Sequence, residues 1–163
     1  MINFLRSTVC FLIILLVTAG SFAAGPSAPG PAQKVKCPAC GMFVSMFVDW
    51  NSKITFNDSS QAVFDGAKCM FKYYLDVKRY DPSKSKDDIS LISVKDYYSK
   101  KDVDARSAFY VVWSDMYGPM GHEPIPFGTE TEANKFLKEH KGKQILEFGE
   151  ITTALITSLD NPP

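Results

Sequence analysis

The chain has 163 residues, of which 45% are hydrophobic and 22% are charged, and its 18 Lys and Arg balance 18 Asp and Glu. This length is sufficient for one domain with a buried core. The zero net charge excludes a protein that binds nucleic acid through a strongly basic surface. The aromatic content of 13% is too high for a disordered chain.

The first 23 residues are predicted to be a signal peptide. Arg6 precedes the apolar run 9–17, which is too short to span a bilayer, and Ser21 and Ala23 supply the small residues of a cleavage site. A retained membrane anchor is the alternative interpretation. Ser21 occupies the position at which a lipid anchor would require Cys. We therefore expect an exported, periplasmic protein without a lipid anchor and without a stable membrane span after cleavage.

A Pro- and Gly-rich segment follows at residues 24–35, and it predicts a flexible tether ahead of an ordered domain over 36–158. Signal cleavage would leave three cysteines, Cys37, Cys40 and Cys69. In an oxidising compartment, an odd number leaves at least one thiol without an intramolecular disulfide partner.

The first half of this domain, residues 36–95, contains short runs rich in β-branched and aromatic residues. They predict strands over 42–50, 53–56, 61–64 and 90–94. Asp65 is predicted to cap a helix over 66–76, in which apolar residues recur at helical spacing. The charged segment 78–88 is predicted to be an exposed loop.

The second half, residues 96–158, repeats this order. Its predicted strands are 108–113, 125–127 and 144–148. Thr129 and Glu132 form a capping box that opens a helix through His140. Each half has the order strand, strand, helix, so we predict an α+β fold in which two ββα-type halves pack as one compact domain.

The hexapeptide from Cys37 to Met42 is the clearest chemical motif, with the sequence Cys-Pro-Ala-Cys-Gly-Met. Its two thiols can face one point, and Met42 adds a thioether. Such soft donors select Cu(I), whereas Zn²⁺ usually takes four ligands from Cys, His or carboxylates. A redox dithiol is an alternative, although it would need its first Cys at a helix N-terminus. A structural disulfide is another, although so small a loop gains little entropy. The hexapeptide alone leaves all three open.

A second motif is the Gly- and Pro-rich loop over 117–124, which presents Met120 and His122. The alternative is an ordinary exposed loop with Met120 packed in the core. Cys69 lies in the first predicted helix, where a buried Cys more often acts as a small hydrophobic residue, so we expect it in the core. The sequence contains no Gly-rich phosphate loop and no Ser-His-Asp arrangement, and we expect no enzymatic activity.

Five separated blocks, taken in this order, resemble the NosL family of exported copper chaperones associated with nitrous oxide reductase, over about Lys36 to Glu150. The blocks are the hexapeptide, Phe64-Asp65 with Met70 to Tyr73, Asp96 to Ser99, Asp104 to Val111, and Gly118 to Phe127. The resemblance implies one bound Cu(I) ion, delivered to apo nitrous oxide reductase or another periplasmic copper protein by a monomer or weak dimer.

The copper ligands that the resemblance implies are Cys40, Met42 and Met120, with His122 and Cys37 as further candidates. Two other functions stay open. One is a periplasmic thiol–disulfide oxidoreductase using Cys37 and Cys40, and the other is an interaction module that binds no metal.

Overall fold

A computed structural model describes residues 35–160 of the chain. The predicted signal peptide and residues 24–34 of the predicted tether lie outside this range. Within residues 35–160, every helix is too short or too polar to cross a membrane.

The fold is α+β, as the sequence predicts. The strands are β1 (Ser52–Phe56), β2 (Gln61–Phe64), β3 (Ile89–Lys95), β4 (Asp102–Asp104), β5 (Phe109–Val112), β6 (Tyr117–Gly118), β7 (Gly121–His122), β8 (Ile125–Phe127) and β9 (Gln144–Glu147). The α-helices are α1 (Ala67–Leu75), α2 (Val77–Tyr80), α3 (Glu130–Glu139) and α4 (Thr153–Ser158).

Two antiparallel sheets and one small hairpin organise these strands. The first sheet has the order β2-β1-β3-β4, the second has the order β8-β5-β9, and β6 pairs with β7. In each sheet the strand that comes first in the chain, β1 or β5, lies between two others. Its two neighbours are the strand before the helix and the strand after it. The α+β fold with two ββα-type halves is therefore confirmed, and each half has a further strand. β4, which lies in the second predicted half, joins the first sheet beside β3.

The core forms where the apolar faces of these elements meet. Alternate residues of β1 point inward, which buries Ile54 and Phe56. The ring of Phe71 on α1 lies 5.1 Å from the rings of Tyr110 on β5 and Phe148. Because burial of one such aromatic side chain stabilises a fold by about 1.5–3 kcal/mol, these contacts join the two halves firmly.

Segment 42–50 is not a strand, and that prediction is wrong. It contains a 3₁₀ turn, Val44–Met46, and its backbone forms a single bridge, between Lys36 and Phe43. The side chains of Met46 and Val48 are 69% and 59% exposed. An apolar run becomes a strand only beside a partner strand and against a core, and this segment has neither along most of its length.

The prediction that Asp65 caps α1 is also wrong. The N-cap residue is Gly66, which has no side chain to accept a hydrogen bond. The Lys68 backbone N–H near the helix start instead donates to Glu123 Oε2 at 2.7 Å. A carboxylate distant in sequence thus satisfies the helix terminus, and Asp65 takes a different partner. The predicted Thr129 cap is present, since its Oγ1 accepts from the backbone N–H of Glu132 at 3.2 Å.

Candidate metal centre

The hexapeptide folds into a tight loop that is closed by its own backbone. The Cys37 N–H donates to the Met42 carbonyl, and the Gly41 N–H donates to the Cys37 carbonyl, both at 2.8 Å. Gly41 has a φ of +82°, which residues with a side chain rarely adopt. The loop therefore turns back on itself and brings Cys37 and Cys40 to the same side.

The start of α1 supplies two more donor groups. Asp65 comes two residues before the helix and Cys69 lies in its first turn. The ligand atoms of Cys37, Cys40, Asp65 and Cys69 all lie within 4.8 Å of one another. Cys40 is half-buried and the other three are buried. In the part of the chain that the structure describes, all three cysteines are free thiols.

The three thiols have different proton affinities. A hydrogen bond from the Cys69 thiol lowers the pKa of Cys37 below its ordinary value. Burial raises the pKa of Cys40 to about 12, and its thiol donates to Asp65 Oδ2 at 3.2 Å. The hydrogen bond to Cys37, together with burial, raises the pKa of Cys69. A metal ion bound by all three sulfurs would have to displace the protons that Cys40 and Cys69 hold tightly.

The predicted Met120 loop is a hairpin formed by β6 and β7. Tyr117 pairs with His122, and Gly121 has a φ of +81° at the turn. Met120 and His122 are both half-buried. His122 Nδ1 is buried and has no hydrogen-bond partner within the described residues.

Two buried charged residues attach this hairpin to the start of α1. Lys68 Nζ donates to the Met120 carbonyl at 2.9 Å. Glu123 accepts from the Met120 N–H at 3.2 Å through Oε1 and from the Lys68 N–H at 2.7 Å through Oε2. Lys68 directly precedes Cys69 in α1. The tip of the hairpin is therefore attached to the same helix turn that carries Cys69.

The structure thus brings Cys37 and Cys40 together, as the hexapeptide predicts. It adds Asp65 and Cys69, neither of which was predicted as a ligand. No local sequence signal predicts them, because their position beside Cys37 and Cys40 depends on how α1 packs against the loop. Cys69 is fully buried, in agreement with its expected core position, and it also faces the other thiols. Metal coordination by Met42, Met120 and His122 stays a prediction.

Fold and site together define a small α+β protein with a cluster of thiols and a carboxylate that could hold a metal ion. The family model for NosL matches residues 30–156, and the chain belongs to the NosL family. A search of curated protein sequences finds no match.

Solved structures of two family members resemble this chain. The crystal structure of the copper chaperone NosL from Shewanella denitrificans matches with a TM-score of 0.61 and 22% sequence identity, and the match covers 80% of this chain and 99% of that one. The solution NMR structure of the apo-NosL protein from Achromobacter cycloclastes matches with a TM-score of 0.46 and 26% identity, covering 64% of this chain and 87% of that one. The first of these similarities demonstrates a shared fold.

Proposed function

We propose that this protein is an exported metallochaperone that carries Cu(I). The observation that supports this most strongly is the group of three free thiols where the hexapeptide loop meets the start of α1, whose ligand atoms lie within 4.8 Å of one another. Thiolates and thioethers are the donors that select Cu(I). The related Shewanella denitrificans protein is itself described as a copper chaperone.

The proposed ligands are those that the resemblance to the NosL family implies: Cys40, Met42 and Met120, with His122 and Cys37 as further donors. Cys40 is the half-buried thiol of the group, which makes it the sulfur that a partner can approach most easily. The Met120 carbonyl accepts a hydrogen bond from Lys68, which lies in the helix turn that also carries Cys69. Thioethers carry no proton, so they keep their affinity as the pH falls, whereas thiols must first lose a proton.

Carriage rather than catalysis is the role that such a site suits. Cu(I) tolerates two to four soft ligands, so a recipient can replace them one at a time at the accessible Cys40 side. The predicted signal peptide supports export to the periplasm. The recipient that we propose is nitrous oxide reductase or another periplasmic copper protein.

The alternative function, thiol–disulfide exchange by Cys37 and Cys40, has less support. Cys37 is the low-pKa thiol, but it is only 1% exposed and therefore cannot easily attack a disulfide in another protein. The hexapeptide is also a loop rather than the start of a helix. A test of insulin reduction would separate the two functions, because only an oxidoreductase would be active in it.

The main experiment is a titration of the reduced protein with Cu(I) against a chromophoric Cu(I) chelator. We expect Cys40→Ser to lower the affinity by about 100-fold or more, because it removes a direct ligand. Met46→Leu is the control. Met46 is an exposed methionine that lies near the loop in the sequence, and we do not propose it as a ligand. Equal affinities of Cys40→Ser and wild type would contradict the proposal.

Delivery is tested separately. Copper-loaded protein is mixed with metal-free nitrous oxide reductase, and the copper in each protein is measured after they are separated. Copper that stays on the chaperone would contradict nitrous oxide reductase as the recipient, without affecting the Cu(I) site itself.

A further inference from the structure

We propose that Lys68 and Glu123 are positioning residues for Met120. Their buried charges hold the main chain of Met120 at the place from which its thioether binds Cu(I). The inference rests on the proposed function, because it takes Met120 as a copper ligand. It adds to that function two residues that offer no soft donor and bind no copper themselves.

Both backbone polar groups of Met120 are bound by charged side chains. Its carbonyl accepts from Lys68 Nζ at 2.9 Å, and its N–H donates to Glu123 Oε1 at 3.2 Å. The other oxygen of Glu123 accepts the backbone N–H of Lys68 at 2.7 Å. Lys68 is fully buried and Glu123 is 2% exposed, so water does not compete for these hydrogen bonds.

The hairpin that carries Met120 is too small to fix its own tip. β6 and β7 have two residues each, and two residue pairs join them. Met120 lies in the turn between these strands. An isolated two-stranded hairpin is at best marginally stable in water. The hydrogen bonds from Lys68 and Glu123 therefore fix the tip against the helix turn that carries Cys69.

The buried ammonium group of Lys68 indicates a role beyond packing. Lysine is almost never fully buried unless its charge is paired. Asp160 provides this pairing, because its Oδ1 lies 2.6 Å from Lys68 Nζ. An apolar side chain would fill the same space without the cost of removing a charge from water. The ammonium adds a directional hydrogen bond to the main chain of the hairpin.

A methionine ligand depends on such positioning more than a cysteine does. The thioether is neutral, so no charge draws it to Cu(I), and its side chain has three rotatable bonds. A donor of this kind contributes most to affinity when its main chain is already held in the bound position. Groups that orient metal ligands typically change metal affinity by about 10–100-fold. We expect an effect of this size from Lys68 and Glu123.

The experiment measures the Cu(I) affinity of Lys68→Leu in two backgrounds, wild type and Met120→Leu, by the chelator titration. In the wild-type background we expect the affinity to fall by about 10-fold or more. In the Met120→Leu background the same change should lower it by less than about 2-fold, because the ligand that Lys68 positions is already absent. A role in stability alone would give the same loss in both backgrounds.

Lys72→Leu is the matched control and should leave the Cu(I) affinity unchanged. Lys72 lies one turn further along α1 and pairs with the same Asp160 carboxylate at 3.1 Å, and among residues 35–160 it forms no hydrogen bond to Met120. Because Leu at a buried lysine can disturb folding, Glu123→Gln is a second variant. Its amide can replace only one of the two acceptor oxygens, so one link is lost, and its effect should depend on Met120 in the same way. Circular dichroism checks that each variant is folded.

The outcomes keep this inference separate from the proposed function. Equal losses in the two backgrounds, or folded Lys68 and Glu123 variants that bind Cu(I) like wild type, would overturn the positioning role. If Met120→Leu alone still binds Cu(I) more weakly than wild type, the proposed function stands. A wild-type protein that binds no Cu(I) would overturn the proposed function and this inference with it.

Discussion

Replacing Glu123 with Gln tests the effect of a carboxyl group that the fold buries almost completely. Glu123 is 2% exposed, and burial raises its pKa from 4.5 to about 7, although the backbone N–H groups of Lys68 and Met120 donate to it. The gap between these two pKa values corresponds to about 3 kcal/mol of unfolding free energy.

The sign of the pH dependence follows from the direction of this pKa change. Between pH 4.5 and 7 the folded protein keeps the Glu123 proton, whereas the unfolded chain releases it. The Glu123 contribution to the free energy of unfolding therefore falls as the pH rises through this range, and it stays low above pH 7. This is opposite to the behaviour of a carboxylate whose pKa is lowered by folding.

Glu123→Gln removes the titration and also has a cost that does not depend on pH. The two oxygens of Glu123 each accept a backbone N–H, and an amide can replace only one of them. The NH₂ group of the new side chain would face the other backbone N–H, and this donor would lose its hydrogen bond, which costs about 1–3 kcal/mol. We therefore expect wild type to be more stable than the variant by this amount at pH 4.5. At pH 8 the difference should be smaller by about 3 kcal/mol, so that wild type has no advantage or is the less stable protein.

The assay is urea unfolding of the reduced, metal-free proteins at pH 4.5 and pH 8, followed by tryptophan fluorescence. Glu130→Gln is the matched control, because Glu130 is exposed at the start of α3 and its replacement should change stability by less than about 0.5 kcal/mol at both pH values. A difference between wild type and Glu123→Gln that is the same at both pH values would refute this reasoning.

Two further predictions concern side chains near the start of α1. Asp160→Ala should lower the free energy of unfolding by about 1–3 kcal/mol, because it removes the carboxylate 2.6 Å from the fully buried Lys68 ammonium, although Asp160 itself is 43% exposed. Asp102→Ala should cost less than about 1 kcal/mol, since its 2.7 Å pair with Lys95 is open to solvent; equal losses in urea unfolding would contradict this contrast. Gly118→Ala should cost about 1–3 kcal/mol, because its methyl group would lie 2.5 Å from a buried carboxyl side chain. An unchanged thermal unfolding temperature would show that the hairpin has room for the methyl group.

The parts of the fold that the sequence predicts well are those with local signals. The predicted strands 53–56 and 61–64 lie within one residue of β1 and β2, because alternation and turn residues are local properties. Segment 42–50 fails because a strand needs a partner, and its composition does not reveal whether one is present. The cap of α1 fails for a similar reason, since its acceptor, Glu123, is far away in the sequence.

The candidate site also has one part that the sequence predicts and one part that it does not. The pairing of Cys37 with Cys40 follows from their spacing in a single loop. The addition of Cys69 and Asp65 depends on how α1 packs against that loop, which is a tertiary property. Burial alone does not separate a core cysteine from a ligand, because Cys69 is fully buried and also lies among the donor atoms.

Whether sulfur donors from the hexapeptide and from the hairpin bind one Cu(I) ion is most directly tested by X-ray absorption at the copper edge. The reduced protein is loaded with one equivalent of Cu(I), and the sulfur neighbours of copper are counted in wild type, Met120→Leu and Met116→Leu. Met116 is a half-buried methionine that packs against the hydrophobic residues around Phe127 and Phe136, so it serves as the control. We expect the count to fall by one in Met120→Leu and to stay unchanged in Met116→Leu. An unchanged sulfur count in Met120→Leu would show that the two stretches do not share the metal.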